Sequence, residues 1–525
     1  MITGCRHIGW LLVLWLGMVN PVRAQLAHSL RLELASNPNE EEAFDVTPLA
    51  ERGVLVTIRT GAFYDNTPAH FRFQKYNTDL KLIWQTEFKQ DSRYRPIQSF
   101  HNDRYQYQLF REPDTDHFQF MRLNLDDGTT ETFEGNLIEP FDIRHFKVLG
   151  NQAYVGGYHH NRPLVMSFSF FDRSTKVLPS LYVNHMEINS LEVDESRQEV
   201  HVLVHTLRRG CQFSVRTFSY EGKLLRTLTF DDAQNSLISG KLLPVDEHES
   251  LLVGNYSTDC TPYSQGIYVT RIRHNAPGRT DVAESAGEDI QYIEFSQLKN
   301  FFNYLKPRRQ QKMLARMLKK KEEGKDVKFR YRLLVHDLKP TPEGLTLVAE
   351  VYYPQYSGAS LNGGVLRPTS RYVEGFRYTH AFICGFDKQG KLLWDNCLPI
   401  KELTSPDLLE MVQVSQQGDH MVLAYPNEGE INTEVIQGSK VLKEVANYKL
   451  QTNSEQDKVT FSAQDNLSAW YDRHFLACGF QKIAAERNLT NQREVFYINK
   501  LTYDPQSATD NSTESASQKT SGSGR

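Results

Sequence analysis

His159, His160 and Arg162 fall together in one short polar stretch, where they could ligate a metal, contact another ligand or fill a surface turn. Metal ligation needs several donors converging at about 2 Å, which two adjacent histidines do not supply, so no metal and no other cofactor is expected. Arg208 and Arg209 form a second basic pair beside Cys211. The spacing from Val204 to Cys211 recurs from Val253 to Cys260, which places the two cysteines in equivalent loops. In an exported chain they would form a disulfide worth roughly 2–4 kcal/mol if their Cα atoms approach within about 7 Å. Cys384, Cys397 and Cys478 lie in apolar segments and read as buried thiols.

Tyr356 and Tyr372 belong to an aromatic group with Tyr352, Tyr353, Phe376 and Tyr378, able to stack on sugar rings, grip a peptide or pack as ordinary strands. Arg308, Arg309, Lys312, Arg316, Lys319 and Lys320 form a basic helical stretch, with Met313, Leu314, Met317 and Leu318 on the other side. Such a helix can touch an anionic membrane or an acidic partner, or simply dock its apolar stripe and leave its charges solvated. Asp126, Asp127 and Gly128 lack the twelve-residue ligand pattern of a calcium loop and read as a hairpin turn. Nucleophile-elbow, zinc-protease, Cys-x-x-Cys and phosphate-loop patterns are all absent, which favours binding over turnover without deciding it.

A repeated hairpin supplies the frame for these residues. Tyr76 to Trp84, Leu123 to Glu131, Phe218 to Arg226 and Phe386 to Trp394 each end a strand, make a polar turn and begin a new strand. With a looser copy from Phe170 to Leu178, the residue after each turn falls at 81, 129, 176 and 223, a period of 47 to 48. Self-similarity at that period marks an array in which each repeat is one sheet. The expected fold is all-β, a single eight-bladed β-propeller, with seven blades as the alternative. Its blades are placed near 44–88, 95–135, 140–182, 188–230, 238–296, 328–400, 408–450 and 466–503. The last group has three strands and the amphipathic stretch Leu30 to Ala35 has no blade, so this N-terminal strand is expected to close the ring.

Two insertions break the period: a segment at 294–326 that reads as two helices, the first with Phe295, Leu298, Phe302 and Leu305 in one apolar stripe and the second from Pro307 to near Gly324, and a Gly-, Ser- and Tyr-rich loop at 354–375. Propeller geometry puts the repeated hairpins on one face. The opposite face receives the irregular loops, including those of His159, Arg208 and Tyr356, and is where a site is expected.

Residues 1–24 read as an export leader, with Arg6 and His7, an apolar run from Ile8 to Val19 too short to span a bilayer, and Val22-Arg23-Ala24 before the cut. Losing Arg6 and Arg23 moves the formal charge from -4 to -6, which argues against nucleic acid as a partner. The propeller then occupies 25–503, followed by a disordered tail at 504–525. The expected setting is periplasmic or extracellular, the expected partner a protein or a glycan, and any membrane contact peripheral.

Phe386 to Trp394 and, more loosely, Tyr76 to Trp84 resemble the repeat of quinoprotein-type propellers, in which an Asp-containing turn with Gly-Lys leads into a Trp-ended strand. That family docks its blades with many tryptophans, whereas Trp84, Trp394 and Trp470 are the only ones after the leader, so the resemblance implies fold and no quinone. The whole chain also resembles exported proteins of Gram-negative bacteria of the Bacteroidota type, which implies no function.

Overall fold

Alternation and apolar runs divide the strands by position in each sheet. Middle strands such as Val155-centred Gln152–His159 are buried on both sides, while outer strands such as Leu82–Lys89 alternate between exposed and half-buried positions. The computed structural model describes residues 26–36, 42–61, 68–206, 211–232, 234–273, 284–285, 289–325, 327–356, 361–362, 365–366, 373–485 and 488–503.

Eight antiparallel sheets follow one another along the chain as the blades of a propeller. Blade one is Glu42–Pro48, Val54–Thr60, His70–Tyr76 and Leu82–Lys89. Blade eight takes Asp457–Ala469, His474–Ala485 and Asn488–Tyr503 from the C-terminal part and its outermost strand, Leu26–Ala35, from the N-terminal part. The closing strand pairs from Leu26 opposite Tyr503 to Ala35 opposite Val495, a few residues longer than Leu30 to Ala35. Arg31 secures it, donating to Glu33 and Gln481 at 2.8 Å each and to Asn499 at 3.1 Å.

The hairpins between third and fourth strands share one left-handed residue after the turn. Glycine takes it at Gly128 (φ 76°), Gly222 (85°) and Gly390 (82°), but Leu80 (56°) and Arg173 (61°) take it in the other two copies. A side-chain oxygen at the turn's start braces the Leu80 copy, where Asn77 accepts from the Asp79 and Lys81 amides at 3.0 and 2.9 Å, and Asp387 makes the same pair of bonds, to Gln389 and Lys391, in a glycine copy.

The helical insertion differs from the expected pair of helices. Its first half is two 3-10 turns, Phe295–Gln297 and Phe301–Tyr304, and only the second half is an α-helix, α1 at Pro307–Glu322. Asp395 anchors the first half by accepting from the Lys299 and Asn300 amides at 3.1 and 2.6 Å. Phe295, Phe301 and Phe302 then fill the seam between blades five and six.

Candidate functional site

The first strands of blades two to six touch in succession, as do those of blades seven and eight, so they ring the propeller axis. In blades two to five each carries a bulge, between Pro96 and Gln98, Ile143 and His145, Ile188 and Ser190, and Leu237 and Ser239. A bulge re-aims the side chains that follow it. Three positions past the bulge stand Phe100, Lys147, Glu192 and Lys241, one from each blade at the same register. Lys147 Nζ lies 5.5 Å from the Phe100 ring centre, and Lys241 Nζ bridges Glu192 at 3.4 Å and Asp337 of blade six at 2.5 Å.

This belt sets its own charge states. Burial works against the Lys241 ammonium, but Glu192, Asp337 and Glu410 outweigh it and raise the pKa. Crowding by surrounding protein opposes the Asp337 carboxylate although its side chain is 77% exposed, and Lys241 overrides it, lowering the pKa. His145 is pushed down to about 4 by burial, with Lys147, Lys241 and Arg144 adding repulsion, so it is neutral.

Beside the belt, His336 and Glu350 form a buried pair between blades six and seven. Glu350 Oε1 lies 2.8 Å from His336 Nε2 and accepts from the Val412 amide at 2.8 Å. The other ring nitrogen, Nδ1, faces Glu410 Oε2 at 3.8 Å. Burial raises the Glu410 pKa against the pull of His336 and Lys241. An imidazole and a half-exposed carboxyl thus stand together. Among the described residues, no group of three or more His, Cys, Asp or Glu side chains could hold a metal ion.

The residues singled out from sequence lie elsewhere and apart. His159 and His160 sit on a tight hairpin at 4.2 Å between ring centres, with His160 (φ 47°) and Asn161 (φ 61°) left-handed. Arg162 stacks over Tyr182 at 4.9 Å and donates to Asn184 at 2.6 Å. Tyr356 is exposed at the end of Gly344–Tyr356. Arg208, Arg209 and Tyr372 lie outside the described residues, as do the leader, the tail and much of the 354–375 loop. Cys211 and Cys260 form a disulfide with Cα atoms 5.5 Å apart, and Cys384, Cys397 and Cys478 are buried thiols.

On α1, Arg308, Arg309, Lys312, Arg316 and Lys319 are exposed, while Lys320 is half-buried. Met317 is buried and Met313 packs on the same core, but Leu314 and Leu318 are exposed, so the apolar stripe is used on one side only. No helix among the described residues is long and apolar enough to cross a membrane.

No protein-family model and no curated protein sequence matches this chain. Among solved structures it is similar to the polysaccharide lyase Uly1, with a TM-score of 0.39 at 10% identity over 77% of this chain and 89% of that one. It is also similar to the β-propeller domain of the Trilobed protease from Pyrococcus furiosus, with a TM-score of 0.34 at 10% identity over 79% and 97%. A third similarity is to a prolyl endopeptidase, at 0.37 and 10% over 78% of this chain and 50% of that one. No activity passes from these proteins to this one.

The axial belt was missed because each blade contributes only one member, and Lys147 and Glu192 share their strands with other charges. The signal was present: Lys147, Glu192 and Lys241 each precede an apolar residue at one register of successive first strands.

Proposed function

We propose that this protein is an exported binding or scaffolding module that takes a glycan at the axial mouth of its propeller. The belt of Lys147, Glu192, Lys241 and Asp337 carries this reading, because its charges alternate and no sign dominates. Many donors and acceptors without net field suit a hydroxyl-rich neutral chain better than a polyanion. A glycan array probed with the wild type and with Lys241→Ala tests it. Binding to neutral glycans that weakens by about tenfold in the variant is the expected result. A folded wild type that binds nothing on the array sinks the reading.

A second reading, an enzyme acting on polysaccharide, is favoured by His336, Glu350 and Glu410. An imidazole held by the buried Glu350 side chain, with the Glu410 carboxyl of raised pKa close by, is a pair that proton transfer to or from a substrate could use. Hydrolysis and lyase assays on the glycans that bind would separate the two. Turnover lost in both His336→Ala and Glu410→Gln replaces binding alone with catalysis, and no turnover by the wild type leaves the module without it.

A further inference from the structure

The seam between blades one and two does not close at its inner corner. A cavity of about 240 Å³ opens there, the volume share of about eight waters, which is the size of one sugar ring rather than of a drug-sized ligand. Its floor is apolar, made by Phe71 and Phe73 of blade one and Met121 of blade two. Its walls are polar: Asp45, Thr57 and Arg59 come from blade one, and Ser99, Gln106 and Gln108 from blade two.

The walls follow from strand register. Asp45 pairs opposite Thr57, and Thr57 opposite Phe73, so all three share the side of blade one that looks at blade two. Ser99 opposite Gln108, and Gln108 opposite Met121, make the answering side of blade two. The bulge between Pro96 and Gln98 leaves Ile97 as the extra residue at this corner, 40% exposed and itself part of the lining. Between blades four and five the bulged residue instead seals the corner: Asn189 donates to Ile238 O and accepts from the Gly240 amide, both at 3.3 Å.

Gln106 is a wall residue whose amide is short of partners. The residue is 5% exposed, its Nε2 reaches only Tyr107 O at 3.5 Å, and its Oε1 is buried without a hydrogen-bond partner. A buried carbonyl without a donor costs about 1–3 kcal/mol, which a ligand hydroxyl would recover once the amide turns toward the cavity. The lining contains one acid, Asp45, and one base, Arg59, so it offers no net charge to a charged ligand. Amides and hydroxyls that both give and accept, above aromatic and methionine surface, match a ring carrying hydroxyls on its edge and C–H groups on its faces.

We infer that the cleft between blades one and two is a subsite for a single neutral sugar residue, entered from the propeller axis, where Asp45 and His101 are exposed. The inference rests on the glycan-binding reading and gives it a place and a ligand class: the axial belt meets the chain, and the cleft takes one residue of it.

Titration calorimetry and saturation-transfer NMR with cellobiose, maltose, laminaribiose and xylobiose, and with citrate and spermine as charged probes, test this on the full chain. The variants are Gln106→Leu, Ser99→Ala and Lys241→Ala, each checked by thermal unfolding. Ser99→Ala removes one hydroxyl and keeps the inference testable should Gln106→Leu fail to fold. The expected result is that a neutral disaccharide binds and that the cleft variants weaken it by about tenfold or more. Disaccharide binding that survives both cleft variants but falls in Lys241→Ala overturns the subsite and leaves the glycan reading standing. Citrate or spermine displacing the sugar from the cleft overturns the ligand class. A wild type that binds no neutral saccharide overturns both.

Discussion

The seam between blades five and six and the seam between blades one and two are built to opposite ends. The first receives an inserted connector whose Phe295, Phe301 and Phe302 pack with Phe329, Tyr331 and Phe382, Phe295 and Phe301 stacked at 4.2 Å. The second keeps polar walls and an unoccupied corner beside the axis. Both join equivalent strands, so sheet geometry does not separate them. What differs is whether side chains fill the corner: a filled seam contributes stability, and an open polar one keeps room and unmatched hydrogen-bonding groups for something else.

Removing filler from the closed seam should have the largest effect. Phe301→Ala deletes a fully buried ring touching Phe295, Phe302, Tyr331, His380 and Phe382, and should cost about 3–5 kcal/mol in urea unfolding. A loss under about 1 kcal/mol would show that the connector does not hold the seam.

Glu434, in the blade-seven strand Glu430–Gln437, gives an intermediate case: one acid enclosed in an otherwise closed interior. Burial, with Glu444 adding repulsion, pushes its carboxyl up to about 8, and its Oε1 has no hydrogen-bond partner. A raised carboxyl pKa means that the native state keeps the proton after the unfolded chain has lost it. Stability is therefore full below the usual carboxyl value of 4.5 and declines as the pH climbs to about 8. Glu434→Gln should remove that decline, gaining on the order of 3 kcal/mol over the wild type at pH 9 relative to pH 5, by thermal or urea unfolding. Parallel pH profiles for the two proteins would refute it.

The smallest effect belongs to the open cleft. Gln106→Leu removes an orphan carbonyl and adds apolar surface, so unfolding should shift by less than about 1 kcal/mol, in either direction, even as ligand is lost. A loss like that of Phe301→Ala would make the cleft a structural seam like the other.

How far each feature could be read depends on how its information is spread along the chain. The hairpins from Tyr76 to Trp84 and from Phe386 to Trp394 hold their turn signals within a few residues, and both form as expected. Leu80 in a left-handed position shows the limit, since its conformation is held by the Asn77 side chain and not announced by glycine. The two 3-10 turns read as a helix because Phe295, Leu298 and Phe302 keep helical spacing, but their contacts are with blade strands and Asp395 breaks the run. The basic residues of α1 were visible as a stripe. That Leu314 and Leu318 face water was not, because it depends on what blades five and six offer beneath them.

The sheet repeat and the strand that closes the ring were legible in the chain, with eight blades set ahead of seven, because alternation, turn chemistry and a missing fourth strand are properties of contiguous residues. Only the tertiary structure decided where chemistry can gather. Lys241 meets Glu192 across 49 residues and Asp337 across 96, and Asp45 shares a cavity wall with Gln108 from another blade. Ring closure and four strand bulges bring these groups together. Neither leaves a mark at fixed spacing, because each blade contributes a single side chain and the loops between blades vary in length.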